Sequence, residues 1–189
     1  MHPSSFNAMK YFVEKHLDKN SKLDILDVGS YDVNGTYKPL FQIPNWYYKG
    51  LDIVEGPNVD FISKSPYDFG IQKQFDVVIS GNCLEHVESP WKWIKEVEKI
   101  TKKEGLICII TPFAVEEHRH PLDCWRILPD GYKYLLEQES TFTVIEANFT
   151  HHEFKSIFTR LIIKLIPTQI KRKIKLHLPI DTFVIARKK

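Results

Sequence analysis

Two groups of residues in this chain have types and spacings suited to chemistry. The first is Thr111–Gly131, TPFAVEEHRHPLDCWRILPDG, which gathers two imidazoles (His118, His120), a carboxylate (Asp123), an indole (Trp125) and a guanidinium (Arg126). An alcohol is a poor nucleophile until a base removes its proton, and an imidazole suits that task near neutral pH. His118 is the candidate base, with Asp123 fixing it or the acceptor. A flat Trp125 face beside Arg126, His118 and His120 as hydrogen-bonding heads suits a sugar. The plainer reading is that Asp123 and Arg126 form a structural pair and Trp125 is core. The second group is two acids, Asp27 and Asp52, each closing a β-rich run. A carboxylate at such a place accepts both hydroxyls of a ribose.

These groups need elements that end at one edge. LDILDV (23–28) reads as a buried parallel strand running into the tight turn Gly29-Ser30. Further strands are expected at 47–52, 59–62, 75–80, 106–111, 141–147 and 182–187. A first helix is expected after a Ser4 or Ser5 cap, with Phe6, Met9, Val13 and Leu17 at helical spacing. Ser89-Pro90 starts a second helix, carrying Trp93, Ile94, Val97 and Ile100 as its buried stripe and ended by Gly105. A third runs from Pro129-Asp130 to about Gln138. The stretch 34–41 is a short helix or irregular loop broken by Pro39. This alternation predicts a doubly wound α/β sheet, with ligands beyond the carboxyl ends of its strands.

The phrase Asp27-Val28-Gly29-Ser30-Tyr31-Asp32-Val33-Asn34-Gly35 resembles the class I S-adenosylmethionine-dependent methyltransferases, in a branch with DVGS-x-DVNG in place of the commoner three-glycine loop. The later H-x-H-P-x-D-C-W-R-x-x-P-D-G phrase resembles the same branch, often found in surface-glycan gene neighbourhoods. The resemblance runs from Ser4 to about Leu136 and returns weakly in the last strand. It implies a Rossmann-like sheet, mostly parallel with an antiparallel last strand and helices on both faces. It also implies S-adenosyl-L-methionine as cofactor, with S-adenosyl-L-homocysteine as product. Asp27, Gly29, Ser30 and Tyr31 would hold the methionine part, Asp52 the ribose, and Ile53 would flank the adenine. Ser65 or a backbone carbonyl would face the adenine amine, because Ser63-Lys64-Ser65 stands where many relatives carry an acid. Ser80, Gly81 and Asn82 would line the sulfonium end. A nicotinamide enzyme is the rival, since two strand-end acids also mark dinucleotide folds. The loop lacks G-x-G-x-x-G, however, and Asp32 adds a negative charge that a pyrophosphate resists.

After strand four comes Gly81-Asn82-Cys83-Leu84-Glu85-His86-Val87. Glu85 and His86 either hydrogen-bond structurally or act at the site, and His86 is the next candidate base. Certain ubiquinone-pathway and RNA methyltransferases carry E-x-x-E-H here and bind a divalent metal. Asn82 replaces the first of those acids, so no metal site is expected.

The chain has 189 residues, 43% of them hydrophobic, which suits one domain with a full core. Cys83, Cys108 and Cys124 lack CxxC spacing, so neither a disulfide frame nor a zinc site is expected. The start, MHPSSFNAMKYF, has no basic stretch followed by an apolar core, and no apolar run approaches spanning length. A cytoplasmic location is expected. From Lys155 onward there are ten Lys and Arg against one acid, and before it sixteen against twenty-three. Residues 150–181 therefore read as a basic insertion before the last strand. It either covers the sheet edge or a partner subunit, or touches an anionic membrane surface or lipid-linked acceptor. No nucleic-acid partner is expected, because the body is acidic and the basic run lacks interleaved aromatics. The reading is an O-methyltransferase acting on a sugar or glycan hydroxyl. The alternatives are a nitrogen or small-metabolite acceptor, or a nucleoside-binding subunit that does no chemistry.

Overall fold

The computed structural model describes residues 3–150, 165, 167 and 180–189. Its elements are α1 (Pro3–His16), β1 (Leu23–Val28), β2 (Trp46–Asp52), β3 (Phe61–Ile62), β4 (Phe75–Gly81), α2 (Pro90–Ile100), β5 (Thr101–Pro112), α3 (Pro129–Glu137), β6 (Phe142–Phe149) and β7 (Asp181–Lys188). Short 3₁₀ turns occupy Lys38–Phe41, around Pro39, and Leu84–His86.

The most apolar runs form the middle of the sheet. Ile25 and Asp27 of β1 pair in parallel with Val77 and Ile79 of β4, and the full order is β3-β2-β1-β4-β5-β7-β6. Only β7 runs against its neighbours, as the resemblance implied. Side chains alternate between the two faces of a strand, so both faces need cover. On one face Met9, Phe12 and Val13 of α1 pack with Ile25, Val77, Ile79 and Ile185. On the other, Trp93, Ile94, Val97 and Ile100 of α2 and Tyr132 and Leu136 of α3 pack with Leu26, Val78, Ile107 and Val184. An eleven-residue helix such as α2 is marginal alone. Its four buried stripe residues, each worth about 1.5–3 kcal/mol, hold it in place.

Four local expectations change. Ser4 and Ser5 do not cap α1 by the usual route. Both are buried; the Ser4 hydroxyl donates to Asp181 at 2.5 Å, and Ser5 pairs with the Tyr37 hydroxyl. Ser89 precedes α2, yet its side chain makes no capping bond, and Pro90 alone presets the first turn. Gly105 does not end α2, which stops at Ile100. Thr101 already pairs with Phe75, and the regular ladder resumes with Leu106 opposite Val77. Residues 102–105 bulge between them, Glu104 has φ +62°, and a Cβ on Gly105 would crowd the Lys102 carbonyl at 2.8 Å. The third strand is also shorter than the expected 59–62. The basic run Lys171–Lys175 lies outside the described residues. No helix among the described residues is long and apolar enough to cross a membrane.

Candidate active site

Parallel pairing brings the ends of β1, β2, β4 and β5 to one edge. Asp27 sits in β1 opposite Gly50 of β2, two residues before Asp52. Asp27 is buried, and its carboxylate accepts one hydrogen bond, from the Tyr48 hydroxyl at 2.5 Å. Burial pushes its carboxyl up to about 7; the Tyr48 bond opposes the rise and the nearby Asp52 charge adds to it. Asp52 sits at the surface of the same edge. One oxygen accepts from the Tyr31 backbone N–H at 3.1 Å, the other from Ile53 and Val54 N–H at 2.7 and 3.3 Å. The loop after β1 is thereby tied to the end of β2.

Several other expected cofactor residues work on the chain itself. Gly29 has φ +81°, a conformation glycine adopts freely, and a Cβ there would meet Cys83 at 2.5 Å. The close approach that glycine allows is between two loops of the edge. The Ser30 hydroxyl donates to the Asn58 carbonyl at 2.8 Å, and the Ser80 hydroxyl to the Val28 carbonyl at 2.8 Å. Both serines are buried staples. Tyr31 covers Gly56, and Gly81 leaves room for the Tyr37 hydroxyl. The Ser65 hydroxyl accepts from Tyr67 N–H at 3.1 Å in a turn, while Ile53 is half exposed at the rim. Asn82 has φ +54°, and its buried side-chain oxygen lacks a hydrogen-bond partner.

The loop from Phe113 to Leu128 is stitched onto the turn after β4. Cys124 N–H donates to the Glu85 carbonyl at 2.7 Å, and the Trp125 indole N–H to the Val87 carbonyl at 2.8 Å. His86 Nδ1 meets the Leu122 carbonyl at 2.5 Å. Asp123, its side chain 1% exposed, grips Arg126 with both oxygens at 2.5 and 2.7 Å and accepts the His118 backbone N–H at 2.9 Å. The Arg126 bonds hold its carboxyl well below the usual range. This pair therefore braces the loop. Trp125 is half-buried against the core and stands edge-on to the exposed Trp91, with ring centroids 6.3 Å apart.

The docked loop sets His118 beside His86, with ring centroids 5.2 Å apart, and His120 6.5 Å from His86. Glu85 lies beneath them, fully buried, with neither carboxylate oxygen hydrogen-bonded. Burial pushes its carboxyl up to about 8; the Asp123 charge adds to the rise and Arg126 opposes it. Sequence reasoning missed Tyr48, whose type reported only strand propensity. It left Glu85 open between a structural hydrogen bond and a part in the site, and the structure gives its carboxylate no hydrogen bond. A surface hollow lined by Asp18, Asp76, Lys103, Glu104 and Arg187 lies around the opposite ends of the strands, away from these groups.

Residues 49–109, from β2 into β5, match the family model described as a methyltransferase domain. That segment of the chain is similar to a methyltransferase domain. The chain's fold is also that of S-adenosylmethionine-dependent enzymes. A SAM-dependent methyltransferase from Archaeoglobus fulgidus superposes with a TM-score of 0.65 at 18% identity, over 97% of this chain and 95% of the other. One from Aquifex aeolicus gives 0.62 at 15% identity, over 98% and 92%. The Burkholderia thailandensis 1,6-didemethyltoxoflavin-N1-methyltransferase, solved with its acceptor and S-adenosylhomocysteine, gives 0.66 at 16% identity, over 99% and 79%. No curated protein matches the sequence. S-adenosylmethionine is the cofactor of the solved enzymes that this fold resembles.

The residues at the β1 and β2 edge fit that cofactor. Asp27 is a buried carboxylate with one donor and spare acceptor capacity, suited to an ammonium group. Asp52 presents a partly buried carboxylate, a group of the kind that accepts ribose hydroxyls, and the Asn82 oxygen is a buried acceptor still short of a donor.

Proposed function

We propose that this methyltransferase acts on a hydroxyl, on a sugar, glycan or similarly polyhydroxylated acceptor. The observation that supports this reading most is the imidazole cluster at the edge of the sheet, His86, His118 and His120, reached from the ends of both β4 and β5. A nitrogen acceptor with a free lone pair needs positioning more than a base, whereas a hydroxyl must lose its proton as the new bond forms. The Asp123–Arg126 pair shapes the loop that carries the cluster, and Trp125 with Trp91 offers an aromatic face beside it.

S-adenosylmethionine supplies an activated methyl group. Asp27, with Gly29, Ser30, Tyr31 and Asn82 around it, holds the methionine end; Asp52 and Ile53 hold the nucleoside; Ser65, Ser80 and Gly81 complete the walls. Alignment of acceptor and donor contributes most of the rate, since orientation alone is worth several kcal/mol. His118 takes the hydroxyl proton, His120 stands beside it as a further imidazole, and His86 and Asp123 orient them. The basic stretch within 150–181 offers cations to an anionic membrane surface or a lipid-linked acceptor. The whole chain forms one domain in this reading.

The test is a screen of glycan, nucleotide-sugar and heterocyclic amine acceptors with labelled S-adenosylmethionine. Label appearing as a methyl ether on a saccharide supports the reading. Label appearing only on nitrogen replaces it with the chemistry of the Burkholderia enzyme. Flotation with anionic vesicles checks the membrane contact: binding that is absent at low salt removes that part alone.

A further inference from the structure

Glu85 is an anomaly among the described residues. It is fully buried, neither of its oxygens accepts a hydrogen bond, and two imidazoles face it. His86 Nε2 lies 3.7 Å and His118 Nε2 3.6 Å from the same oxygen, Oε1. These separations exceed a hydrogen bond, which for N–H···O closes at about 2.7–3.2 Å.

The protons of both rings are spoken for on the far side. His86 Nδ1 meets the Leu122 carbonyl at 2.5 Å, and a carbonyl only accepts, so Nδ1 carries the hydrogen. His118 Nδ1 meets the Glu116 carbonyl at 3.1 Å, with Asp123 Oδ2 at 3.5 Å behind it. With Nδ1 as the donor, each ring turns its bare Nε2 lone pair toward Glu85. Two imidazole nitrogens and a carboxyl oxygen converge with no N–H among them. Their ligand atoms all lie within 4.8 Å of one another. Donors held about 2.1 Å from one ion at 110–120° stand roughly 3.4–3.6 Å apart, close to the two Glu–His separations. The backbone and carboxylate acceptors behind each ring are the outer partners that metal-bound histidines usually have. The nearest cation, Arg126, is neutralised by its two-oxygen grip on Asp123.

We propose that Glu85, His86 and His118 bind one first-row divalent cation, such as Zn2+, Co2+ or Mn2+. Two nitrogens and one carboxylate favour these over Mg2+ and Ca2+, which prefer oxygen alone. Sequence reasoning discounted a metal because Asn82 replaces a carboxylate four positions before His86. The structure provides a different third ligand, His118, brought in by the docked loop. Only three protein ligands are used and His118 is 40% exposed, so further coordination positions face outward. What the cation does there rests on the hydroxyl-acceptor reading; that it binds does not. A hydroxyl coordinated at the open side is acidified, its proton leaves to His120, and its oxygen forms the bond to the methyl carbon as the carbon–sulfur bond breaks. His86 and His118 then act as ligands, and His120 is the imidazole left for the proton.

The experiment uses untagged full-length protein, stripped with chelator and titrated with Co2+ in the absence of cofactor and acceptor. One Co2+ per chain should bind, with visible d–d absorption and displacement by Zn2+, while millimolar Mg2+ should not compete. His86→Ala and His118→Ala should each weaken binding at least about 100-fold, since even outer-shell losses cost 10–100-fold. Glu85→Gln tests the buried ligand, with circular dichroism and melting temperature confirming that it folds. His120→Ala should bind Co2+ like the parent. Absence of stoichiometric Co2+ binding, binding indifferent to His86→Ala and His118→Ala, or equal competition by Mg2+ overturns the proposal. These readouts involve no methyl transfer, so their failure leaves the hydroxyl reading standing. Normal Co2+ binding with label found only on nitrogen would remove that reading and keep the site.

Discussion

Asp27 and Glu85 are both acids buried at the same edge of the sheet, and burial raises both carboxyls, to about 7 and about 8. Their partners differ. Asp27 has a hydroxyl donor, Tyr48, and backbone staples on either side. Glu85 has no donor, and the groups facing it carry lone pairs of their own. The first is a half-satisfied acceptor prepared for one more donor, such as an ammonium group. The second has no hydrogen-bond donor, and in the proposed site a cation would take that place. Burial raises a carboxyl in either case, and only the neighbours say what it is for.

The comparison breaks most visibly at the imidazoles. His118→Ala should lower turnover by roughly two to four orders of magnitude. S-adenosylhomocysteine affinity, measured by calorimetry, should stay at the parent value, because none of the proposed cofactor residues lies in the loop that carries His118. A matching loss of cofactor affinity would mean that the two acids serve one site. Asp52→Ala should do the converse. It should weaken S-adenosylhomocysteine by about 1.5–3 kcal/mol, the worth of hydrogen bonds to a charged group. Turnover at saturating cofactor should persist.

Asp27 also sets a pH dependence. Its protonated form cannot attract an ammonium, so S-adenosylhomocysteine affinity should rise as pH rises toward about 7 and level off above it. Below that point the slope approaches tenfold per unit, about 1.4 kcal/mol, and Asp27→Asn should abolish it. Folding runs the other way. The folded value of about 7 exceeds the ordinary 3.8, so Asp27 contributes its stability fully below about 3.8 and loses it as pH rises to about 7. Urea titrations of the parent and Asp27→Asn should diverge across that window. The smallest effect is expected from Tyr48→Phe. It removes the one bond that holds the Asp27 carboxyl down, so the binding midpoint should move above 7, with a stability loss of about 1–3 kcal/mol. An unmoved midpoint would show that Tyr48 does not set the Asp27 environment.

The strands were legible where apolar runs left no alternative. β1 and β4 are buried on both faces, and the α2 stripe has one amphipathic solution. The site was legible by halves. Asp27 and Asp52 follow from strand ends, which sequence marks well. The hydroxyls of Ser30 and Ser80 read as open to a ligand because sequence does not report a backbone carbonyl 28 or 52 positions away. Ser4 and Ser5 failed as caps for the same reason: Asp181, at the far end of the chain, claims the first. Glu85 and His118 meet only because the loop after β5 folds back onto the turn after β4. That depends on three bonds to main-chain carbonyls, which residue types do not encode.

The placement of β7 bears on how the protein is made. Among the described strands β6 has β7 as its only neighbour in the sheet, and β7 comes from residues 181–188. During synthesis β6 must emerge and wait, its main-chain groups unpaired, until the ribosome has released the stretch that fills the gap beside β5. The Ser4–Asp181 bond, joining residues 177 apart, forms late for the same reason. The parallel half of the sheet is assembled from neighbouring segments, whereas β6 stays an open edge, the kind of exposed strand that recruits other chains. A nascent chain stalled before residue 181 should accordingly be the species most dependent on chaperones.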